Sequence, residues 1–227
     1  MFTGFTKQTS EFLWELAFNN ERPWFLEHKE QFEQVVNTPF KALAKDTLDL
    51  MQQRHPERNM QVHISRIYRD ARRLFGRGPY KDHLWFSVKV GDTVPEGPMF
   101  WFEIGKSDYS YGMGFYTATA AQMEAFRRMV DANPAHFERI AAPIMKNRDF
   151  HIFGEEYKKP KGTHDGDIID FWYNRKRIGI DVTRDFGGDV MSERLPYILA
   201  DTFDKLLPMY DFFLEFYKAA PPAERRR

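Results

Sequence analysis

The hydrophobic period of the chain changes near residue 60, and that change decides which folds remain open. Before it, apolar residues recur every three or four positions, the spacing of one helix face. In "EFLWELAFNN" the stripe is Phe12, Leu13, Leu16 and Ala17, with Ser10 the expected N-cap and Asn19-Asn20 the close. A second helical stretch opens at Pro23, which suits a first turn, and carries Trp24, Phe25, Phe32, Val35 and Val36. Pro39 is expected to break it. A third helix follows, from about Phe40 to Gln53.

After His55-Pro56 the period falls to two. "MQVHISRIYRD" alternates, with Val62, Ile64 and Tyr68 opposite His63 and Ser65. "HLWFSVKV" and "PMFWFEIG" are aromatic and β-branched runs bounded by Gly and Pro, so both are expected strands. "DYSYGMGFY" is another: Tyr109, Tyr111, Met113 and Phe115 share one face, Gly112 and Gly114 the other. Alternating glycines leave a bare strand face, which costs stability unless another backbone, a helix or a ligand uses the space. The segments between these runs are short and turn-like, so antiparallel pairing is expected. Helices return at "TAAQMEAFRRMVDAN" and "PAHFERIAAPIMKN". "FHIFGEEYKKPKGTHDGD" is expected as a short strand entering a polar loop, and "KRIGIDVTRD" as a strand. Ser192 to Ala219 is helical, with breaks expected at Pro196 and Pro208. The class is α+β: one domain over residues 1–220, its mainly antiparallel central sheet covered by N-terminal, middle and C-terminal helices. A frayed basic tail, 221–227, follows.

Composition narrows the function. The chain has 33 basic and 33 acidic residues, which argues against a general polyanion binder and leaves local patches open. It has no cysteine, so a disulfide framework and a thiolate nucleophile are excluded. The start has no basic n-region, and no window approaches the roughly 18 apolar residues that span a bilayer. A cytoplasmic protein with no membrane partner is expected. The 22 Phe, 10 Tyr and 5 Trp must fill a core or line grooves.

One stretch departs from the neutral average. "RIYRDARRLFGRGPYKDH", Arg66 to His83, holds six Lys/Arg against two Asp. If the flanking strands form a hairpin, Arg66, Arg69, Asp70, Arg72, Tyr80 and Lys81 gather near its mouth. Guanidinium forks bind phosphate or carboxylate, and Gly76 and Gly78 let backbone N–H groups approach an anion. A small anionic ligand is therefore the first expectation. The competing reading is structural: Asp70 organises Arg69 and Arg72 as ion pairs on a solvated turn. The phosphate-loop spacing of nucleotide hydrolases is absent.

Other groups extend or limit that reading. Glu103 sits in an aromatic strand on the face of Trp101 and Met99, where burial would raise its pKa. With His83 or Tyr80 it is a candidate acid/base for an enzyme acting on an anionic substrate; the alternative is a plain ion pair with an Arg. Asn19, Asn20 and Trp24 lie at a helix junction; the Asn pair is expected to cap it, the alternative being that it faces the basic loop, since Asn amides suit anionic or sugar ligands. The loop holding Lys158, Lys159, Lys161 and His164, flanked by Glu155, Glu156, Asp165, Asp167 and Asp170, is expected to be solvated. His164 and Asp167 alone make a weak metal motif, and no metal or cofactor is expected. A third reading is a protein-interaction domain that uses exposed aromatics. Arg with Trp and Tyr also suits single-stranded nucleic acid, which the zero net charge disfavours. Oligomeric state stays open.

Three stretches, "FLWELAFNNERPWF", "RIYRDARRLFGRGPYK" and "GEEYKKPKG", occur in order and resemble a widespread bacterial family of conserved proteins of unknown function, family 2461. In that family a Phe-Leu…Leu…Asn-Asn…Trp-Phe helix precedes an Arg-Asp-x-Arg-Phe…Lys-x-Pro-Tyr-Lys segment. The likeness runs from Phe12 to about Phe213. Arg69, Asp70, Arg72, Pro79, Tyr80 and Lys81 match the middle motif. Arg73 stands where the family has Phe, which bears on loop packing. Arg77 stands where it has Lys, which keeps the charge. The resemblance implies a shared fold and a shared site region, and it brings no activity.

Overall fold

The computed structural model of the chain describes residues 1–91, 97–115, 117–164 and 166–220. The tail at 221–227, Asp165, Tyr116 and the Arg73 side chain lie outside the described residues. Six strands form one antiparallel sheet: β1 (Met60–Ile64), β2 (Leu84–Val90), β3 (Met99–Ile104), β4 (Asp108–Gly114), β5 (His151–Phe153) and β6 (Gly179–Asp185). Their order is β1-β2-β3-β4-β6-β5. The class is α+β, as the change of period implies. Among the described residues no helix is long and apolar enough to cross a membrane.

The N-terminal helices are α1 (Lys7–Phe18), α2 (Arg22–Glu27), α3 (Lys29–Phe32) and α4 (Thr38–Arg54). Helix α1 starts before Ser10, because Thr6 is the N-cap and its backbone N–H donates to Thr9 Oγ1 at 3.3 Å. Ser10 is inside the helix, and its hydroxyl donates to the Lys106 carbonyl. Pro39 does not end the helical run. It lies in the first turn of α4, after a π turn at Glu33–Asn37. Proline has no N–H for the carbonyl four residues back, which is that of Val35. Thr9 Oγ1 donates to that carbonyl at 2.7 Å and takes the missing partner's place.

Further helices are α5 (Ala120–Ala132), α6 (Pro134–Lys146), α7 (Asp167–Tyr173) and α8 (Leu195–Ala219). Helix α8 runs on through Pro208, and Pro196 falls in its first turn, so neither expected break occurs. Helix α7 replaces part of the expected polar loop. It is only two turns long, too short for a period to show, and it buries Ile169, Trp172 and Tyr173.

These elements form two compact units. The first comprises Met1–Gly91, Trp101–Tyr111 and Thr183–Thr202. Its core is aromatic: Phe86 lies 5.5 Å from Phe102 and 5.7 Å from Phe40, centroid to centroid. Here β1 pairs with β2 from Met60↔Val90 to Ile64↔Phe86. The second unit comprises the described residues of Asp92–Phe100, Gly112–Val182 and Phe203–Arg227. In it Phe100 stacks between Phe203 at 4.8 Å and Tyr210 at 4.5 Å.

The bare face of the glycine strand is used by backbone. A Cβ on Gly112 would lie 1.9 Å from the Ile180 carbonyl oxygen of β6. On Gly114 the nearest atom would be the Gly179 Cα at 3.1 Å. Gly112→Ala should therefore cost about 1–3 kcal/mol or more, the range for overpacking. Gly114→Ala should cost less. Urea unfolding of both variants checks this, and equal losses would refute the close-approach account.

Candidate functional site

Strand β1 ends at Ile64, and the chain returns to β2 through a folded loop rather than a plain two-strand hairpin. The expected alternation fails past Ser65: Ile67 is buried and Tyr68 is 51% exposed. Backbone bonds still bring the arms together, from Lys81 N–H to the Ile67 carbonyl and from Arg69 N–H to the Pro79 carbonyl, both 2.8 Å. Between them Asp70 caps a 3₁₀ turn at Ala71–Arg73, accepting from the Arg72 N–H at 3.0 Å. The loop tip then bends at Phe75, a non-glycine at φ +46°, where a side chain crowds its own backbone.

Asn20 fastens this loop to the helices. Its Oδ1 accepts from the Tyr80 N–H and its Nδ2 donates to the Tyr80 carbonyl, each at 2.9 Å. The amide thus takes the place of a neighbouring strand. Gly78 makes room for it, since a Cβ there would lie 2.3 Å from Asn20 Oδ1. The Tyr80 ring is buried and stacks on Phe25 at 4.1 Å. Tyr80 is therefore core, not the ligand contact or acid/base group the sequence suggested. Burial, its main influence, pushes its hydroxyl pKa up and keeps the proton on.

The charged side chains divide into two groups. Arg72 is 88% exposed and folds back on Asp70, with Nε–Oδ1 at 3.0 Å and Nη2–Oδ2 at 2.9 Å. This is the local ion pair of the structural reading. Arg66 is exposed, and its carbonyl accepts from Lys81 Nζ at 2.6 Å. The second group converges. Arg69 donates through Nε to the Tyr80 carbonyl at 2.8 Å, and its Nη2 lies 3.7 Å from Asp82. Asp82 also receives Lys106 Nζ at 2.7 Å and lies 3.2 Å from His83 Nδ1. The side chains of Asp82, His83 and Lys106 are each about a third exposed. Lys106 and Asp82 were not singled out by sequence: Asp82 joins Arg69 to Lys106, and these lie far apart in the chain.

The two carboxylates of this group are driven apart. Burial works to raise the Asp82 pKa, but hydrogen bonds from Lys106 and His83 outweigh it and hold the group at about 2. Glu103 is raised, first by burial and then by the nearby charges of Asp108 and Asp82, against the opposing influence of His83 and Lys81. Lys81 is lowered by burial and by the neighbouring Arg69.

A second polar cluster lies in the other unit, where a solvated loop was expected. His164 Nδ1 sits 2.9 Å from Asp170 and Nε2 3.1 Å from Asp131. The Tyr173 hydroxyl donates to Asp131 at 2.9 Å. Burial lowers the His164 pKa, yet hydrogen bonds to both carboxylates win and raise it. Asp167, the partner its spacing suggested, instead starts α7. Among the described residues no group of three His, Cys, Asp or Glu is placed to hold a metal ion.

The model of a family described as "Conserved hypothetical protein (DUF2461)" matches residues 8–212. The chain belongs to that family. No curated protein matches it. In this DUF2461 chain the matched span takes in both clusters, from Ser10 and Asn20 to Tyr173.

Two pH dependences follow. Asp82 has a folded pKa below its ordinary 3.8, so its contribution is complete above that value and is lost as pH falls through about 2. Asp82→Asn should destabilise the protein at neutral pH, with the gap to wild type closing between about pH 4 and 2. His164 has a raised folded pKa, so its contribution is complete below its ordinary 6.5 and is lost as pH rises through the folded value. The stability gap of His164→Gln should be widest in mild acid and narrow toward alkaline pH. Thermal unfolding across pH measures both; a pH-independent gap in either variant contradicts the assignment.

Proposed function

We propose that this chain binds a small anionic ligand, phosphate- or carboxylate-bearing, at the face formed by Arg69, Lys81 and Lys106, with Arg66 at its edge. The observation that supports it is the convergence of cations from separate parts of the chain. Arg69 and Lys106 both reach one firmly ionised carboxylate, Asp82, and Lys81 stands beside Arg69, while burial raises the Glu103 pKa. The Lys81 pKa is lowered first by burial and then by the Arg69 cation beside it. An anion seated there relieves that repulsion. Arg72 and Asp70, engaged with each other, stand outside the proposed contact. The cysteine-free composition suits a bacterial cytoplasmic setting.

A second reading, an enzyme acting on such a ligand, draws on the split between the carboxylates. Titratable neighbours pushed in opposite directions are a common sign of acid/base assignments. Here Glu103 is the group suited to hold and give a proton. His83, whose Nδ1 lies 3.2 Å from Asp82, is the ring this reading sets beside it.

The test is thermal unfolding with inorganic phosphate, citrate or chloride at equal ionic strength. A ligand that binds only the folded state raises the midpoint, by about 2.7 kcal/mol of stability at a hundred times its Kd. Phosphate or citrate should raise the wild-type midpoint more than chloride does. Lys81→Gln, which keeps a donor for the Arg66 carbonyl, should fold and lose most of that shift. If neither anion outdoes chloride, the binding reading fails.

A further inference from the structure

The aromatic side chains on the outer face of α1 bear on what kind of anion the site takes. Helix α1 buries Phe12, Leu13 and Leu16 completely on its inner face. Its outer face carries Trp14, 40% exposed, and Phe18, 79% exposed, one turn further on. Isolated exposed aromatics are ordinary on protein surfaces. These two are stacked, with centroids 5.8 Å apart and ring planes 21° apart. They also join the cationic face directly. Lys106 Nζ lies 5.0 Å from the centre of the Trp14 ring and 2.7 Å from Asp82.

Both ends of α1 are fastened to the site. Ser10, near its start, donates to the Lys106 carbonyl; Asn20, just past its end, holds the Tyr80 main chain. The rings and the cations are thus held in register by main-chain contacts, not by the swing of long side chains. Cations flanked by exposed flat rings fit a ligand that pairs a negative group with a planar ring, since any planar base can stack on an aromatic side chain.

Resting on the anion reading, we propose that the ligand at this site is a phosphate joined to a flat heteroaromatic ring, the chemistry of a nucleotide, with the phosphate at Lys106, Arg69 and Lys81 and the ring on the Trp14–Phe18 shelf. That chemistry has two sources, a free mononucleotide or a nucleotide within a single strand. The zero net charge of the chain favours the free form, because strand binding depends on a longer track of basic groups.

The test is titration calorimetry of the full chain with four probes: inorganic phosphate, ribose 5-phosphate, adenosine 5′-monophosphate and a four-nucleotide single strand. The nucleotide should bind about tenfold or more tightly than ribose 5-phosphate, the low end expected for one stacked base. Phe18→Ala, at a site too exposed to threaten folding, should bring nucleotide affinity down toward that of ribose 5-phosphate and leave phosphate affinity unchanged. Trp14→Leu should do the same, and the nucleotide should quench Trp14 fluorescence in wild type but not in Phe18→Ala. A four-nucleotide strand that binds no tighter than the monophosphate supports the free form; one that binds much tighter supports the ring chemistry and overturns the choice of source. If phosphate binds but the nucleotide gains nothing over ribose 5-phosphate, the ring proposal is wrong and the anion reading survives. If no probe binds, both fall together.

Discussion

Asn20 holds the Tyr80 main chain at both its N–H and its carbonyl, and the geometry of the site depends on that grip. A loop as long as 65–83 has few internal reasons to adopt one shape. Backbone groups fixed by a side-chain amide from another element give it one. The Tyr80 carbonyl also accepts from Arg69 Nε, so one oxygen orients both the loop and the first cation of the cluster. Arg69 then reaches Asp82, which gathers Lys106 and His83. Magnitudes rank these contacts. Leaving a buried backbone N–H unsatisfied costs about 1–3 kcal/mol. An exposed pair such as Arg72–Asp70 contributes about 0–1 kcal/mol. The amide and the Tyr80–Phe25 stack therefore set the loop, and the conspicuous surface arginine does not.

The basic run is less basic in space than in sequence. Asp70 answers Arg72, and Asp82 answers Arg69 and Lys106 from a strand away. What remains is a smaller excess, displaced from the loop tip toward its base. That displacement separates the part of "RIYRDARRLFGRGPYKDH" that builds the loop from the part that faces solvent with unspent charge. The strained, 83% exposed Phe75 at the tip belongs to neither cluster.

The sequence is legible where one residue type answers to one local rule. The period change placed the helical third and the strands, and paired glycines in β4 marked a close approach that β6 makes. Reading failed where a distant partner overrides a local rule. Pro39 ought to end a helix, but a π turn and the Thr9 hydroxyl, reaching across from α1, supply what proline withholds. The loop of His164 was expected to be solvated, yet its ring meets Asp170 and Asp131, the latter thirty-three residues away. Asn19-Asn20 was legible as a helix end. That it could face the basic loop was legible too; that Asn20 spends its amide on the main chain of a residue sixty positions on was not, because no spacing rule covers an amide acting as a strand.

Asp82 and Glu103 are shifted in opposite directions within one cluster. Both are partly buried among the same neighbours. Asp82 collects donors from Lys106 and His83 and stays charged; Glu103 feels burial first, then the repulsion of Asp82 and Asp108, and leans toward its neutral form. An added negative charge acts on the rest in one direction. It raises Glu103 further, and it raises Lys81, whose charge Arg69 and burial now oppose. On the anion reading, ligand uptake and proton uptake are therefore coupled at this site: binding favours the protonated form of both groups, and by linkage mild acid favours binding. A purely structural ion-pair cluster takes up no anion and so has no such coupling.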